Sequence, residues 1–163
     1  MQIRPLEINV DLEKVTEFYR ASPDYWQTAE GSPPGPDKAR AFFFDGPPGC
    51  NVDESHRLGL FIDDRLSGLA ELSFGFPNPG DAYLGFMILG PWARNAGIGK
   101  VLLAHIERLA RQSGADKLYL AVMTINARGR AFWEREGFSA TGKKGVSVGG
   151  ENQQELHRLV KQL

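Results

Sequence analysis

A short glycine-containing segment in the second half of the chain has the composition of an anion-binding turn. Residues 94–99 read Arg-Asn-Ala-Gly-Ile-Gly and lie between an apolar run and an amphipathic pattern. Glycines let the backbone approach an anion closely, and the amides at a helix N-terminus add the positive end of the helix dipole. Arg94 and Lys100 flank the turn with positive charge. The segment therefore predicts a site for a phosphate or pyrophosphate group.

Two common nucleotide-binding motifs fit this segment poorly. A P-loop requires Ser or Thr after its Gly-Lys pair, whereas Lys100 is followed by Val101. A dinucleotide-binding turn places a third glycine three residues after the second, in an early strand-helix-strand unit. Position 102 is leucine, and the segment comes late in the sequence. The spacing alone leaves two alternatives, an anion site or an ordinary turn at the start of a helix.

A second segment, residues 126–138, predicts a helix that forms the wall of a pocket. Asn126 can open the helix, and Trp133 follows seven residues later, so both side chains fall on one helical face. Gly129 lies between them and leaves that face narrow, as a ligand passing beside the helix would require. The alternative is close packing of this helix on a sheet.

Together, in this order and separation, the two segments resemble the CoA-binding segments of the Gcn5-related N-acetyltransferase (GNAT) family. The resemblance covers residues 55–142 well and the first third of the chain loosely. It implies acetyl-CoA as the cosubstrate and a pair of strands that splay apart beside it. The residues implied to bind acetyl-CoA are Ile88, Leu89, Arg94, Asn95, Ala96, Gly97, Ile98, Gly99, Lys100, Asn126, Phe132 and Trp133. Of these, Ile88 or Leu89 would contribute unpaired backbone groups to the pantetheine arm.

The hydrophobic pattern along the chain predicts an α/β fold. Three- and four-residue spacing of apolar side chains predicts helices over residues 11–22 (capped by Asn9 or Asp11), around 39–43, and over 98–112 and 126–136. Alternating or continuous apolar runs predict strands over 2–8, 57–62, 66–76, 82–89, 118–123, 138–146 and 153–162. Hairpins mixed with crossovers predict a mixed central β-sheet of about six or seven strands with helices on both faces. We expect one GNAT domain over residues 1–163, with strands splayed at the acetyl-CoA site.

The catalytic candidates are Glu71, Tyr83 and Trp133. Where GNAT relatives commonly carry a tyrosine as general acid, this chain has Trp133, whose indole donates a hydrogen bond but releases no proton at usable pH. Water or a tyrosine from elsewhere would then serve the thiolate. Where many relatives carry a carboxylate before the phosphate loop, this chain has Tyr83, a poor base at neutral pH. Glu71 is the best remaining base, with Asp81 behind it, and each has the alternative of a solvated strand-face charge.

The bulk composition indicates a small partner in the cytoplasm. The formal net charge is −1 and the isoelectric point is near 6.3, so there is no general attraction to nucleic acid or to anionic membranes. No apolar run approaches membrane-spanning length, and Cys50 is the single cysteine, which suits a reducing compartment. No histidine pair has metal-ligand spacing, so we expect no metal.

The acceptor is expected to be an amine. Residues 18–50 are rich in aromatic side chains and include Asp24, Glu30 and Asp37, a combination that suits a cationic amine of moderate size. The sequence therefore predicts transfer of acetyl to a primary amine of a small molecule or peptide. The alternative is an acyl-CoA-binding sensor or regulatory module that has lost catalysis, which Trp133 and the missing strand carboxylate favour. A homodimer formed through the first 55 residues is compatible with either function.

Overall fold

A seven-stranded mixed β-sheet forms the centre of the molecule over the described residues, 1–147 and 152–163 of a computed structural model. In chain order the strands are β1 (Gln2–Pro5), β2 (His56–Ile62), β3 (Arg65–Phe74), β4 (Ala82–Leu89), β5 (Lys117–Met123), β6 (Ser139–Val146) and β7 (Glu155–Gln162). Their spatial order is β1-β2-β3-β4-β5-β7-β6, and β4–β5 is the parallel pair among antiparallel neighbours. The predicted mixed sheet is confirmed.

Helices cover both faces of this sheet, as the sequence predicts. They are α1 (Ile8–Arg20), α2 (Pro23–Glu30), α3 (Lys38–Ala41), α4 (Ile98–Gln112) and α5 (Ala127–Arg135). On one face Val15 of α1 and Trp26 of α2 pack against Leu69 of β3. On the other face Leu102 and Ile106 of α4 form a core with the sheet, and α5 packs against it. The two sets of helices therefore approach β4 from opposite sides.

The first helix begins earlier than the sequence predicts. Neither Asn9 nor Asp11 is its cap, because α1 starts at Ile8 with Glu7 as the N-cap residue. The fully buried carboxylate of Asp11 lies inside the first turn, accepts a hydrogen bond from the Glu7 N–H at 3.0 Å and pairs with Arg4. Asp11 therefore accepts a backbone N–H group at the start of its own helix, where the helix dipole favours an anion.

The helix α2 was not expected from the sequence, which ends the first helix near Ser22-Pro23. Pro23 occupies the first position of α2, where its missing N–H costs nothing and its fixed φ suits a helix. The same proline that stops one helix thus starts the next. As a result, α2 places Asp24, Tyr25 and Glu30 beside the central strand β4.

The parallel pair β4–β5 separates partway along its length. Residues 82–84 of β4 pair with residues 118–120 of β5, and no further pairs follow. Residues 85–89 and 121–123 therefore leave a gap between the two strands. The splayed strands implied by the family resemblance are present.

A β-bulge lies on the other side of β4 at the point where the gap begins. Glu71 of β3 pairs with Phe86, whereas Leu72 pairs with Leu84, so Gly85 is the extra residue on β4. A bulge bends its strand and increases the local twist. Gly85 therefore marks the position where β4 turns away from β5 while its pairing with β3 continues.

We expect Asp11→Asn to lower the free energy of unfolding by about 2 kcal/mol at neutral pH, because it removes a charge-assisted pair at a buried site. The Arg4 hydrogen bond lowers the pKa of Asp11 from 3.8 to about 2. The stabilisation is therefore present above about pH 4 and is lost as the pH falls through about 2. Denaturant unfolding from pH 7 to pH 2 measures it, with Glu13→Gln at an exposed neighbouring position as the control. A wild-type advantage that stays constant down to pH 2 would contradict this account.

Candidate active site

Two adjoining cavities open where β4 and β5 separate. The first, of about 580 Å³, is walled by the start of α4, by α5 and by α2. The second, of about 350 Å³, extends along the sheet beneath α2. Residues that line both are Tyr25, Met87, Met123, Asn126 and Trp133. The two cavities therefore meet at the gap in the sheet.

The turn at residues 94–99 forms part of the wall of the first cavity. Asn95 and Gly97 have positive φ angles of 63° and 75°, and Gly97 is the N-cap residue of α4. No atom lies within 4 Å of a Cβ built on Gly97, so the backbone conformation and not the packing requires glycine there. The first amides of α4, at Ile98 and Gly99, have no acceptor within the helix. The cradle suits a compact anion such as a pyrophosphate.

Two further glycines of these segments serve packing and capping. A Cβ on Gly99 would lie 3.3 Å from the Phe132 ring and 3.5 Å from Leu89, so this glycine lets α4 approach α5 closely. Asn126 caps α5 by accepting the Gly129 N–H at 2.9 Å, and a Cβ on Gly129 would lie 2.5 Å from the Asn126 amide. Gly129 also lines the first cavity, and the interpretation that it admits a ligand beside the helix stays a prediction.

The backbone of β4 presents alternate residues to the gap. The N–H of Gly90 donates to β3 at 3.0 Å, and the carbonyl of Ile88 lies beside Gly68 of β3. Successive residues of a strand direct their N–H and C=O groups to opposite sides. The backbone groups of Ile88 therefore face β3, and those of Met87 and Leu89 face the gap. Of the predicted pair Ile88 or Leu89, Leu89 is the residue whose backbone groups face the gap, and its contact with the pantetheine arm stays a prediction.

Two polar bridges cross the mouth of the first cavity. Arg94 pairs with Asp24 of α2 and donates from Nε to the Leu89 carbonyl at 3.1 Å. The Arg94 hydrogen bond lowers the pKa of Asp24, which holds its carboxylate ionised. On the opposite side Arg128 donates to the Asn95 side chain at 2.7 Å. The turn is thereby tied to α2 by one arginine and to α5 by the other.

Most of the residues predicted to bind acetyl-CoA line the first cavity. Those that do are Ile88, Leu89, Arg94, Asn95, Gly97, Ile98, Gly99, Lys100, Asn126, Phe132 and Trp133. Ala96 is exposed and does not line it. Sequence reasoning missed Arg128, although it belongs to the second segment. It assigned Asp24 and the aromatic residues of 18–50 to the acceptor side alone, because it predicted no helix over residues 23–30 that would bring Asp24 and Tyr25 to the first cavity.

The three catalytic candidates lie at different depths. Trp133 lines both cavities, Tyr83 lines the second, and Glu71 lines neither. The Glu71 carboxylate occupies the space that a Cβ on Gly85 would fill, and Gly85 itself lines the second cavity. Glu71 is therefore separated from that cavity by a residue without a side chain.

Glu71 is a buried carboxylate with incomplete charge compensation. It is 4% exposed, accepts a hydrogen bond from the Ser73 hydroxyl and lies 3.9 Å from Arg57. Burial raises the pKa of Glu71, and the Ser73 hydrogen bond and the Arg57 charge oppose that rise. Arg57 donates mainly to backbone carbonyls, including that of Phe42 at 2.6 Å. The buried carboxyl thus titrates closer to neutral pH than an exposed glutamate does.

The neighbouring alternatives are less suited to act as a base. Burial raises the pKa of the Tyr83 phenol, so it stays protonated at neutral pH. The carboxylate of Asp81 accepts from the backbone and side-chain N–H groups of Asn78 at 3.2 and 2.8 Å, which holds the turn before β4. Asp81 thus has a structural role. Of the acid–base candidates from the sequence, Glu71 is left as the carboxyl that could exchange a proton, next to the second cavity behind Gly85.

In the part of the chain that the structure describes, no group of three or more His, Cys, Asp or Glu side chains is placed to hold a metal ion. No helix in these residues is long and apolar enough to cross a membrane.

Comparison with known proteins identifies the family. A sequence model of the acetyltransferase (GNAT) family matches residues 14–138. The chain belongs to this family. It is 30% identical over 115 residues to streptothricin acetyltransferase from Streptomyces lavendulae, a match that covers 71% of this chain. The same match spans 60% of the length of that relative.

Solved structures share the GNAT fold across nearly the whole chain. A ribosomal-protein-alanine N-acetyltransferase from Brucella melitensis is 21% identical with a TM-score of 0.74, and the match covers 100% of both chains. PaiA N-acetyltransferase from Thermoplasma acidophilum, in complex with coenzyme A, is 22% identical with a TM-score of 0.69 and covers 99% of this chain and 98% of its own. At these identities the likeness shows the fold. The acyl donor of GNAT acetyltransferases is acetyl-CoA.

We expect Asp24→Asn to tighten CoA binding by about two- to fivefold, because it removes a negative charge from the cavity wall and releases Arg94. Isothermal titration with CoA at low and physiological salt measures the change, which should shrink as salt rises. Asp37→Asn, at an exposed position outside this wall, is the matched control. Weaker binding by Asp24→Asn would show instead that Asp24 holds Arg94 in its binding orientation.

Proposed function

We propose that this GNAT protein is an N-acetyltransferase that moves acetyl from acetyl-CoA to a primary amine of a small molecule or peptide by direct attack. The observation that supports this most is the meeting of two different cavities at the gap between β4 and β5. One has a helix N-terminus and arginines in its wall, and the other has aromatic rings and a carboxylate. A donor and an acceptor bound in them would approach each other at the junction.

The first cavity would hold acetyl-CoA, which supplies an activated acyl thioester. The opening amides of α4 would bind the pyrophosphate, with positive charge from Arg94, Lys100 and Arg128. The backbone groups of Met87 and the N–H of Leu89 face the gap and would bind the pantetheine amides, replacing the strand pairing that β5 does not provide. The Leu89 carbonyl already accepts from Arg94. Arg94 would have to share its guanidinium between Asp24 and a phosphate.

The second cavity would bind a cationic amine. Its wall includes the rings of Tyr25, Trp26 and Phe86 and the carboxylate of Glu30, which pairs with Lys38. Aromatic faces and a half-buried carboxylate attract an ammonium group. The name of the relative streptothricin acetyltransferase indicates a small-molecule acceptor for that protein. A cytoplasmic location, with access to acetyl-CoA, forms part of the proposal.

Glu71 would take the proton that the amine gives up. It acts through a water molecule, because Gly85 stands between its carboxylate and the cavity. Because Gly85 has no side chain, only its backbone lies between the Glu71 carboxylate and the cavity. Burial raises the pKa of Glu71 towards the pH at which an amine loses its proton, which improves a base.

An acceptor panel with thiol detection tests the proposed reaction. The protein is incubated with acetyl-CoA and with cationic, neutral or anionic primary amines, and free CoA thiol is measured against time. We expect release with cationic amines and little with the others. Binding of acetyl-CoA without turnover on any acceptor would favour the sensor function, and turnover with neutral or anionic amines alone would contradict the cationic acceptor.

We expect Glu71→Gln to lower kcat/KM by about 10- to 100-fold and to remove the acidic limb of the pH–rate profile, since it deletes the proton acceptor. KM for acetyl-CoA should stay within about twofold, because Glu71 does not line the first cavity. Glu54→Gln, at an exposed position, provides the control. An unchanged pH–rate profile would remove Glu71 from the mechanism.

We expect Gly85→Ala to reduce kcat about as much as Glu71→Gln does, because the new methyl group displaces the Glu71 carboxylate. The double variant should be no slower than Glu71→Gln alone, since both changes remove one function. Gly80→Ala is the matched control, because no atom lies within 4 Å of a Cβ at that glycine. Additive losses in the double variant would show that Gly85 acts independently of Glu71.

A further inference from the structure

In the proposed function, the CoA sulfur leaves as a thiolate at the junction of the two cavities. A hydrogen-bond donor there would stabilise its negative charge, so the role inferred for that donor rests on the proposed function. The residues that line both cavities are Tyr25, Met87, Met123, Asn126 and Trp133. The methionines have no donor, and the amide and indole N–H groups of Asn126 and Trp133 are weaker hydrogen-bond donors than a phenol O–H. Tyr25 is the residue of this set with an O–H group. Within the described residues it is therefore the strongest hydrogen-bond donor that lines both cavities.

The ring of Tyr25 is held in place from two sides. It makes edge-on contacts with Trp26, at a centroid distance of 5.1 Å, and with Phe86 of β4, at 5.6 Å. The helix that carries it is fixed at its start by the Asp24 pair with Arg94 and near its end by Gln154, which donates to the Thr28 carbonyl at 3.2 Å. Tyr25 is therefore positioned by the central strand β4 and by the turn beside the first cavity.

The environment of Tyr25 keeps its hydroxyl protonated. Burial, with a smaller contribution from Glu30, raises the pKa of Tyr25 to about 12. A phenol of that pKa does not act as a base at neutral pH, and it does not hand its proton fully to a thiolate whose own acid has a pKa of about 8.5. It is suited to donate a hydrogen bond that strengthens as negative charge develops on sulfur.

We propose that the Tyr25 hydroxyl of α2 donates a hydrogen bond to the CoA sulfur as the thiolate leaves. In this step the amine lone pair forms the new N–C bond, and the electron pair of the C–S bond departs on sulfur. The proton lost by the amine nitrogen goes through water to Glu71. The sulfur keeps its negative charge, shared with the Tyr25 O–H, until product CoA takes a proton from solvent. The tyrosine thus comes from the acceptor-side helix and not from α5, where Trp133 lies.

Binding of CoA compared with desulfo-CoA tests this role without turnover. Desulfo-CoA has hydrogen in place of the thiol, so its binding reports everything except the sulfur contact. Between pH 7 and pH 9.5 we expect wild-type protein to gain about tenfold in affinity for CoA relative to desulfo-CoA, because it favours the thiolate. Tyr25→Phe should lose that gain while binding desulfo-CoA as the wild type does. Its kcat should fall about tenfold or more, with KM for acetyl-CoA little changed.

Tyr119→Phe is the control variant, because Tyr119 is a half-buried tyrosine of β5 that lines neither cavity. A second measurement uses wild-type protein alone: thiolate absorbance of bound CoA gives the pKa of its thiol, which should lie about one unit below that of free CoA. A bound thiol pKa equal to or above the free value would overturn the proposal, as would Tyr25→Phe keeping the wild-type preference for CoA. Failure of wild-type protein to bind either ligand would instead overturn the proposed function.

Discussion

The absence of pairing between β4 and β5 beyond their first three residue pairs is the constraint on which the site depends. A backbone N–H or C=O left without a partner costs about 1–3 kcal/mol when buried, so this gap is a place where a ligand with amide groups gains binding energy. The bulge at Gly85 makes the gap compatible with a continuous sheet, because β4 remains paired with β3 on its other side. β4 therefore loses strand pairing on the side that faces both cavities.

The helices around this gap line the two cavities from opposite faces of the sheet, and α2 lines both cavities. α4 and α5 supply the anion-binding turn and one wall of the first cavity, whereas α2 supplies aromatic rings and carboxylates on the other side. Arg94 joins the two groups, because its guanidinium reaches Asp24 of α2 from the turn before α4. An anion that draws on Arg94 acts on the position of α2 as well. In the proposed function, donor binding would thus affect the shape of the acceptor cavity.

The elements that could be predicted from sequence are those whose signals are local. The range 98–112 agrees residue for residue with α4, because a long amphipathic period bounded by glycines leaves few alternatives. The helix α2 was missed because Pro23 is equally a stop and a start signal. The burial of Glu71 depends on a register shift at Gly85, and Arg128 contacts Asn95 across 33 residues of sequence. Contacts between segments that are distant in sequence produce no periodic pattern in the sequence, so they could not be predicted from it.

Burial alone separates the roles of the acidic side chains near the gap. Removing a carboxyl or a phenol from water disfavours its charged form, so it raises the pKa of Glu71 and of Tyr25 alike. For the carboxyl the shift is towards neutrality, where it can accept and return a proton. For the phenol the shift is away from neutrality, so it remains a hydrogen-bond donor throughout the reaction. In the proposed mechanism, burial would therefore make Glu71 a better base and Tyr25 a more persistent hydrogen-bond donor, and the reaction would need no dedicated acid on α5.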